Sequence, residues 1–182
     1  MDHPDTLSDE LLIAAANRGD ASAFSALYLR YRDWVVRLGR RFAGNDEDAL
    51  DVLQETFAYV FRKFPGFHLT ASMTTFLYPV VKNLSLAARR KRGRFAGDFD
   101  ALAELPAPII DPDDSRSELA AAMANLAETH REVVLMRFVD EMSLDEIAVA
   151  LAIPLGTVKS RLHHALATLR ADPKVRRYFD PN

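Results

Sequence analysis

The sequence predicts an all-α protein: two small helical domains joined by an acidic, flexible linker, the second domain containing a helix-turn-helix. Three observations predict it. Almost every periodic segment repeats its apolar residues at three and four positions, and none alternates over a strand's length. Residues 93–117 interrupt that periodicity with Gly93, Gly97, Pro106, Pro108 and Pro112 set among acids, a composition that reads as a linker or extended strap. Beyond it, a capping box and a tight turn mark two short helices in succession. The expected boundaries are 1–92, 93–117 and 118–182.

In chain order, Ser8 caps a first helix whose apolar positions include Leu11, Leu12 and Ala15. Gly19-Asp20 breaks and restarts the chain. Phe24, Leu27, Tyr28, Tyr31, Val35 and Leu38 then give a second, strongly amphipathic helix, which Gly44 ends in a left-handed conformation. A third helix, near Asp46–Phe64, has Ala49, Leu53, Phe57, Val60 and Phe64 as its core stripe and stops at Pro65-Gly66. A fourth spans about Thr74–Arg92. Pro79 inside it removes an amide donor and disfavours helical geometry at Tyr78, predicting either a kink or a helix that effectively starts near Pro79. The second helical unit covers about 118–180, near the lower size limit for an independent core.

Composition narrows the classes of function. The 182 residues are 49% hydrophobic and 27% charged, values of a globular rather than a disordered chain. With no cysteine, there is no disulfide framework, thiolate metal site or cysteine nucleophile. No apolar run reaches a membrane span, and Met1–Asp5 is acidic rather than a basic leader, so a cytoplasmic location without membrane association is expected. No nucleophile–base pair, phosphate loop or metal-ligand spacing supports an enzyme, and no cofactor is expected. His163-His164 are helical neighbours pointing in different directions with no third ligand nearby, so no metal site is expected there.

The net charge of −3 conceals a pattern. Residues 82–94 carry six bases and no acid, residues 95–118 seven acids against Arg116, and residues 156–177 six bases against Asp172. Each basic block alone is compatible with a solvated surface; two of them, separated by an acidic connector, suggest two faces turned toward polyanions.

The second block lies on a helix that reads face by face. Ser143-Leu144-Asp145-Glu146 is a capping box for a short helix with Ile147, Ala148 and Leu151 on its apolar side. The turn Ala152-Ile153-Pro154 leads into a helix opened by Gly156-Thr157. There Val158, Leu162, Ala165, Leu166 and Leu169 face inward. Thr157, Ser160 and His164 face outward, flanked by Lys159 and Arg161. Small polar groups against base edges and cations against phosphates are what a major-groove reader requires. An ordinary amphipathic hairpin is the bland alternative; capping box, turn and cation placement together favour DNA.

On the third helix Asp48, Asp51 and Glu55 lie at i, i+3 and i+7 with Gln54 alongside, and Val52 and Tyr59 are expected on the same outer region. Carboxylates around an apolar centre suit a basic protein partner. Downstream, Thr74, Thr75, Phe76, Tyr78, Lys82 and Asn83 lead into Arg89, Arg90, Lys91 and Arg92. Aromatic faces, polar groups and cations together suit unpaired bases, although at least one of Phe76 and Tyr78 is expected in the core.

These stretches resemble the extracytoplasmic-function (ECF) group of bacterial RNA polymerase sigma factors. Asp48-Ala49-Leu50-Asp51-Val52-Leu53-Gln54-Glu55-Thr56-Phe57 is similar to the family's Asp-Ala-Glu-Asp…Gln-Glu-Thr-Phe stretch, with Leu50 in place of a glutamate. Ser72–Tyr78, followed by Asn83, resembles Ser-Phe-x-Thr-Trp-Leu-Tyr, with Met73 for Phe and Phe76 for Trp. Arg131-Glu132-Val133, Ser143–Ala148 and Gly156–His163 resemble the family's second DNA-binding domain. The resemblance implies that the first stretch docks on the β′ clamp helices of core RNA polymerase and that the second, with the basic helix, recognises and opens the minus-ten promoter element. It also implies that the helix-turn-helix reads the minus-thirty-five element while its domain sits on the β flap. The acidic linker is expected to thread the RNA-exit path, and an anti-sigma factor is an expected further partner. Two other readings stay open. An autonomous helix-turn-helix regulator explains the C-terminal unit but not the acidic stripe or the aromatic–basic segment. A helical adaptor that binds no DNA would use both basic blocks on an acidic protein.

Overall fold

The computed structural model describes residues 7–96 and 114–176. These form eight helices: α1 Asp9–Asn17, α2 Ala21–Ala43, α3 Asp46–Phe61, α4 Met73–Ala96, α5 Asp114–Ala124, α6 Glu128–Phe138, α7 Leu144–Leu151 and α8 Leu155–Ala171. The chain divides into two compact units, Met1–Ala103 and Glu104–Asn182, so the all-α, two-unit reading holds.

In the first unit, local chemistry sets each helix start. The Ser8 side chain accepts from the Leu11 amide at 3.4 Å, and Asp20 accepts from the Ser22 and Ala23 amides at 2.9 and 3.3 Å. Hydrogen bonds from the Ser22 hydroxyl and then from these amides hold the Asp20 carboxyl below its usual range. Gly44 ends α2 at φ 84°, donating its amide to the Arg40 carbonyl at 2.9 Å; only glycine adopts this conformation without a Cβ penalty. Asn45 then caps α3 by accepting from the Asp48 amide at 2.8 Å, and Asp46, Glu47 and Asp48 complement the positive end of its dipole.

Helix α2 packs on α1, α3 and α4, and α3 packs on both α2 and α4. Leu27, Val35 and Leu38 of α2, Ala49 and Val60 of α3, and Met73, Leu77 and Val81 of α4 are fully buried. Phe24 meets the edges of Phe57, Phe61 and Phe64 with centroids 5.1–6.5 Å away, the T-shaped arrangement favoured by ring quadrupoles. Asp9 ties α1 to α2 through Arg30 (2.6 Å) and the Tyr31 hydroxyl. Burial, and next the bond to Asp9, push the Tyr31 phenol well above its ordinary value.

Three expectations change here. Helix α3 ends at Phe61 rather than near Phe64. Of the two alternatives expected at Pro79, a helix that starts there is excluded, since α4 starts at Met73 and runs through Pro79; Met73, Leu77, Tyr78 and Val81, buried on both sides of the proline, supply packing that outweighs its local preference. Both ends of the expected linker are helical, since α4 continues past Arg92 to Ala96 and α5 opens at Asp114. The remainder, 97–113, lies outside the described residues.

In the second unit Ala122, Met123 and Leu126 pack with Val134, Ala165, Leu169 and Val175. Arg131 donates to the carbonyls of Ala124 and Leu126, both at 3.0 Å, and so satisfies acceptors at the end of α5. Arg137 does the same for Met142 at 3.0 Å, across the α6–α7 connection.

Candidate nucleic-acid interface

The helix-turn-helix is assembled from local interactions. Ser143 accepts from the Glu146 amide at 3.2 Å while the Glu146 carboxylate accepts from the Ser143 amide at 2.7 Å, closing the capping box that starts α7. Ala152 turns the chain in the left-handed region at φ 52°. Pro154 precedes α8 without a side-chain cap, and its carbonyl accepts from the Thr157 and Val158 amides at 2.9 and 3.2 Å. Val158, Ala165 and Leu169 are buried. Lys159, Ser160 and His164 are exposed, and Thr157 and Arg161 are half-buried at the edge of the same face. The His130 ring of α6 lies nearly parallel to His164, centroids 6.1 Å apart and 15° between planes. An imidazole from α6 thus lies beside His164 on this face, which periodicity within α8 had no means of indicating. Among the described residues no cluster of three or more His, Asp or Glu is placed to hold a metal.

Helix α3 exposes Asp51, Gln54 and Glu55, with Leu50 beside them half open to solvent at 51%. Val52, expected on this face, is instead in the core at 2%. The expected stripe allowed for one packing partner; α3 lies against both α2 and α4, so its buried arc widens to take in Val52 and Thr56. Asp48 belongs to the face only in part. It pairs with Arg92 of α4 and accepts from the Asn45 side-chain amide at 2.8 Å, while Arg92 also donates to the Ala43 carbonyl at 2.7 Å. Arg92, expected to contact DNA, therefore binds its own domain and pins the basic end of α4 to the α2–α3 corner.

The remaining α4 residues separate into two sets. Thr75 and Tyr78 are buried at 3% and 1% and offer no free surface to a nucleic acid. Thr75 packs at the helix start, where its amide donates to the Ser72 hydroxyl at 3.3 Å, and the Tyr78 ring stands edge-on to Phe42 at 6.1 Å. Thr74, Phe76 and Lys82 are half-buried; Asn83, Arg90 and Lys91 are exposed, and Arg89 is half-buried. The Lys82 ammonium lies 5.6 Å from the Phe42 ring centroid, a cation–π distance.

Between α3 and α4 opens a cleft of about 490 Å³ with Glu55, Tyr59, Arg62 and Asn83 in its walls. The Tyr59 ring lies nearly parallel to Phe76, 6.3 Å away at 18°, and Lys63 sits 4.8 Å from the Tyr59 centroid. The cleft walls therefore combine an aromatic face, an amide, a guanidinium and a carboxylate. Arg62 was not anticipated as part of it; the signal was its i+3 spacing from Tyr59, which places both on one side of the helix.

Family models described as "Sigma-70 region 2" and "Sigma-70, region 4" match residues 27–95 and 116–169. The chain is 29% identical over 173 residues to the ECF RNA polymerase sigma factor SigW of Bacillus subtilis, covering 87% of this chain and 92% of that protein. It is 33% identical over 165 residues to the ECF RNA polymerase sigma factor SigE of Mycolicibacterium smegmatis, covering 86% and 64%. Over 189 residues it is 29% identical to the ECF RNA polymerase sigma-E factor of Escherichia coli, covering 94% and 98%. Its fold is that of CnrH, solved with the cytosolic domain of CnrY (TM-score 0.65, 24% identity, 90% and 95% covered). It is also that of the sigma factor RpoE of Bartonella quintana, solved with the anti-sigma factor NepR (TM-score 0.61, 22% identity, 81% and 94% covered). With the two region models matched in order, one in each helical unit, the chain belongs to the ECF group of RNA polymerase sigma factors, which direct the polymerase to promoters.

Proposed function

We propose that the chain binds core RNA polymerase through Asp51, Gln54 and Glu55 of α3, reads the minus-thirty-five element with α8, and captures unpaired minus-ten bases at the α3–α4 cleft. The observation that carries this is the cleft itself. In its walls Tyr59 supplies a π face, Asn83 an amide for exposed base edges and Arg62 a cation; Phe76 stacks beside Tyr59, and Arg89, Arg90 and Lys91 follow further along α4 as cations for the backbone, which is the combination single strands require. A factor that only read duplex DNA has no use for it. On α8, Lys159 and Arg161 address phosphates while Thr157, Ser160 and His164 face base edges.

The chain contributes no bond-breaking step. It positions the polymerase, and its β′ clamp-helix and β-flap contacts set the distance between the two DNA-reading surfaces. Alone it binds DNA weakly, because each unit offers few phosphate contacts, and that binding falls steeply with salt. An anti-sigma factor is a further partner in this reading, since a protein covering the α3 face blocks access to the polymerase; the B. quintana relative was solved bound to one. No helix among the described residues is long and apolar enough to cross a membrane, and the place of action is the cytoplasm, with the polymerase.

The test is multi-round transcription with bacterial core polymerase over a library of promoter fragments, with and without the protein. Start-site-specific transcripts that depend on it, and that define a common motif, are the expected result. Tight operator binding without polymerase, and no dependent transcript, would overturn the reading in favour of an autonomous regulator.

A further inference from the structure

We infer that Asn17 is a positioning residue for the minus-ten site: it fixes the α3–α4 connection so that Phe67 holds Phe76 against Tyr59. This rests on the role given to Phe76 and the cleft above. Asn17 is the last residue of α1 and lies before the segment matched by the region 2 model. Its side chain makes three hydrogen bonds to backbone 49 or 50 residues away: Nδ2 donates to the Phe67 carbonyl at 2.9 Å, and Oδ1 accepts from the amides of Gly66 at 2.7 Å and Phe67 at 3.0 Å. Only a carboxamide offers a donor and an acceptor with two lone pairs in this arrangement. Gly66 supplies the other half. At φ 101° it turns the connection through a region that L side chains rarely adopt, which brings two successive amides to one oxygen.

From there the contacts are continuous. Phe67 is buried, its ring 5.3 Å from Phe64 and 5.0 Å from Phe76, and Phe76 lies 6.3 Å from Tyr59 at the cleft. Removing the Asn17 carboxamide leaves two amides and a carbonyl without this partner, and the Phe67 backbone groups are partly buried. The end of α1 thereby controls the placement of an aromatic ring on α4.

The test compares Asn17→Ala, Asn17→Asp, Phe76→Ala and Ser8→Ala, the last perturbing α1 at its other end. Amide hydrogen exchange at Gly66 and Phe67 is expected to accelerate about tenfold in Asn17→Ala, the size of about one net hydrogen bond. With core polymerase, on a promoter recovered from the fragment library, permanganate-detected opening and binding of the single-stranded minus-ten fragment are expected to fall about tenfold. Core binding and duplex minus-thirty-five binding are expected to stay unchanged. Asn17→Asp keeps the acceptor for both amides and is expected to fall between wild type and Asn17→Ala. Unchanged exchange would overturn the inference, as would a loss of opening equal to that of Ser8→Ala. Faster exchange with normal opening, while Phe76→Ala abolishes it, would remove the link from Asn17 to the site and leave the minus-ten reading standing. If Phe76→Ala itself opens promoters normally, that reading fails and this inference falls with it.

Discussion

The two helical units reach their partner surfaces by different routes. In the C-terminal unit the side-chain hydrogen bonds that shape the helix-turn-helix and its support join residues three to seven positions apart: Ser143 with Glu146, Arg137 with Met142, Arg131 with Ala124. In the N-terminal unit the corresponding bonds span 44 to 50 positions: Arg92 with Asp48 and Ala43, Asn17 with Gly66 and Phe67. The lesson concerns what a substitution reports. The surface proposed to read duplex DNA lies on one helix whose caps and turns are built locally, so changing a residue there tests its proposed contact with DNA. A cleft between helices is built by distant residues, so changing one of them tests the architecture and the contact together.

The largest expected effect breaks the N-terminal unit. Tyr78→Ala is expected to destabilise it by about 3–5 kcal/mol through the cavity left in a full core, measured by urea denaturation of the whole chain; a loss under about 1 kcal/mol would return Tyr78 to the surface. Next, Lys159→Ala and Arg161→Ala are each expected to weaken binding to minus-thirty-five duplexes about tenfold across sequences and to lower the salt slope by about one. Ser160→Ala and His164→Ala are expected to change preference at individual base pairs, read by fluorescence anisotropy over variant sites.

Smaller effects sharpen the contrast. Ser143→Ala removes one half of the capping box and is expected to lower the stability of the C-terminal unit by about 1 kcal/mol, followed by thermal melting of that unit's helices. The Arg92–Asp48 pair separates the two roles assigned to basic residues of α4. Because the Arg92 side chain is 46% exposed, a double-mutant cycle is expected to give a coupling of at most about 1 kcal/mol. Arg92→Ala should nevertheless lower stability, whereas Arg90→Ala should leave stability unchanged and weaken single-strand binding. If the two variants behave alike, Arg92 is a DNA contact after all.

Much of this molecule was legible before its fold was known. The caps at Ser8, Ser143 and Gly44, the break at Gly19-Asp20, the turn at Ala152 and the outward face of α8 each depend on residues within a few positions of one another, so periodicity and capping chemistry carry them. Packing settled the rest. Val52, Thr75 and Tyr78 are of types that suit a partner surface, and they are buried because α3 and α4 each face more than one neighbour. Arg92 carries the charge of a DNA contact but is engaged by an acid on another helix, and Asn17 shows no local sign of the connection it holds. Residue type and spacing specify what a side chain is able to bind; only the arrangement of helices brings together the groups, far apart in the chain, that it does bind.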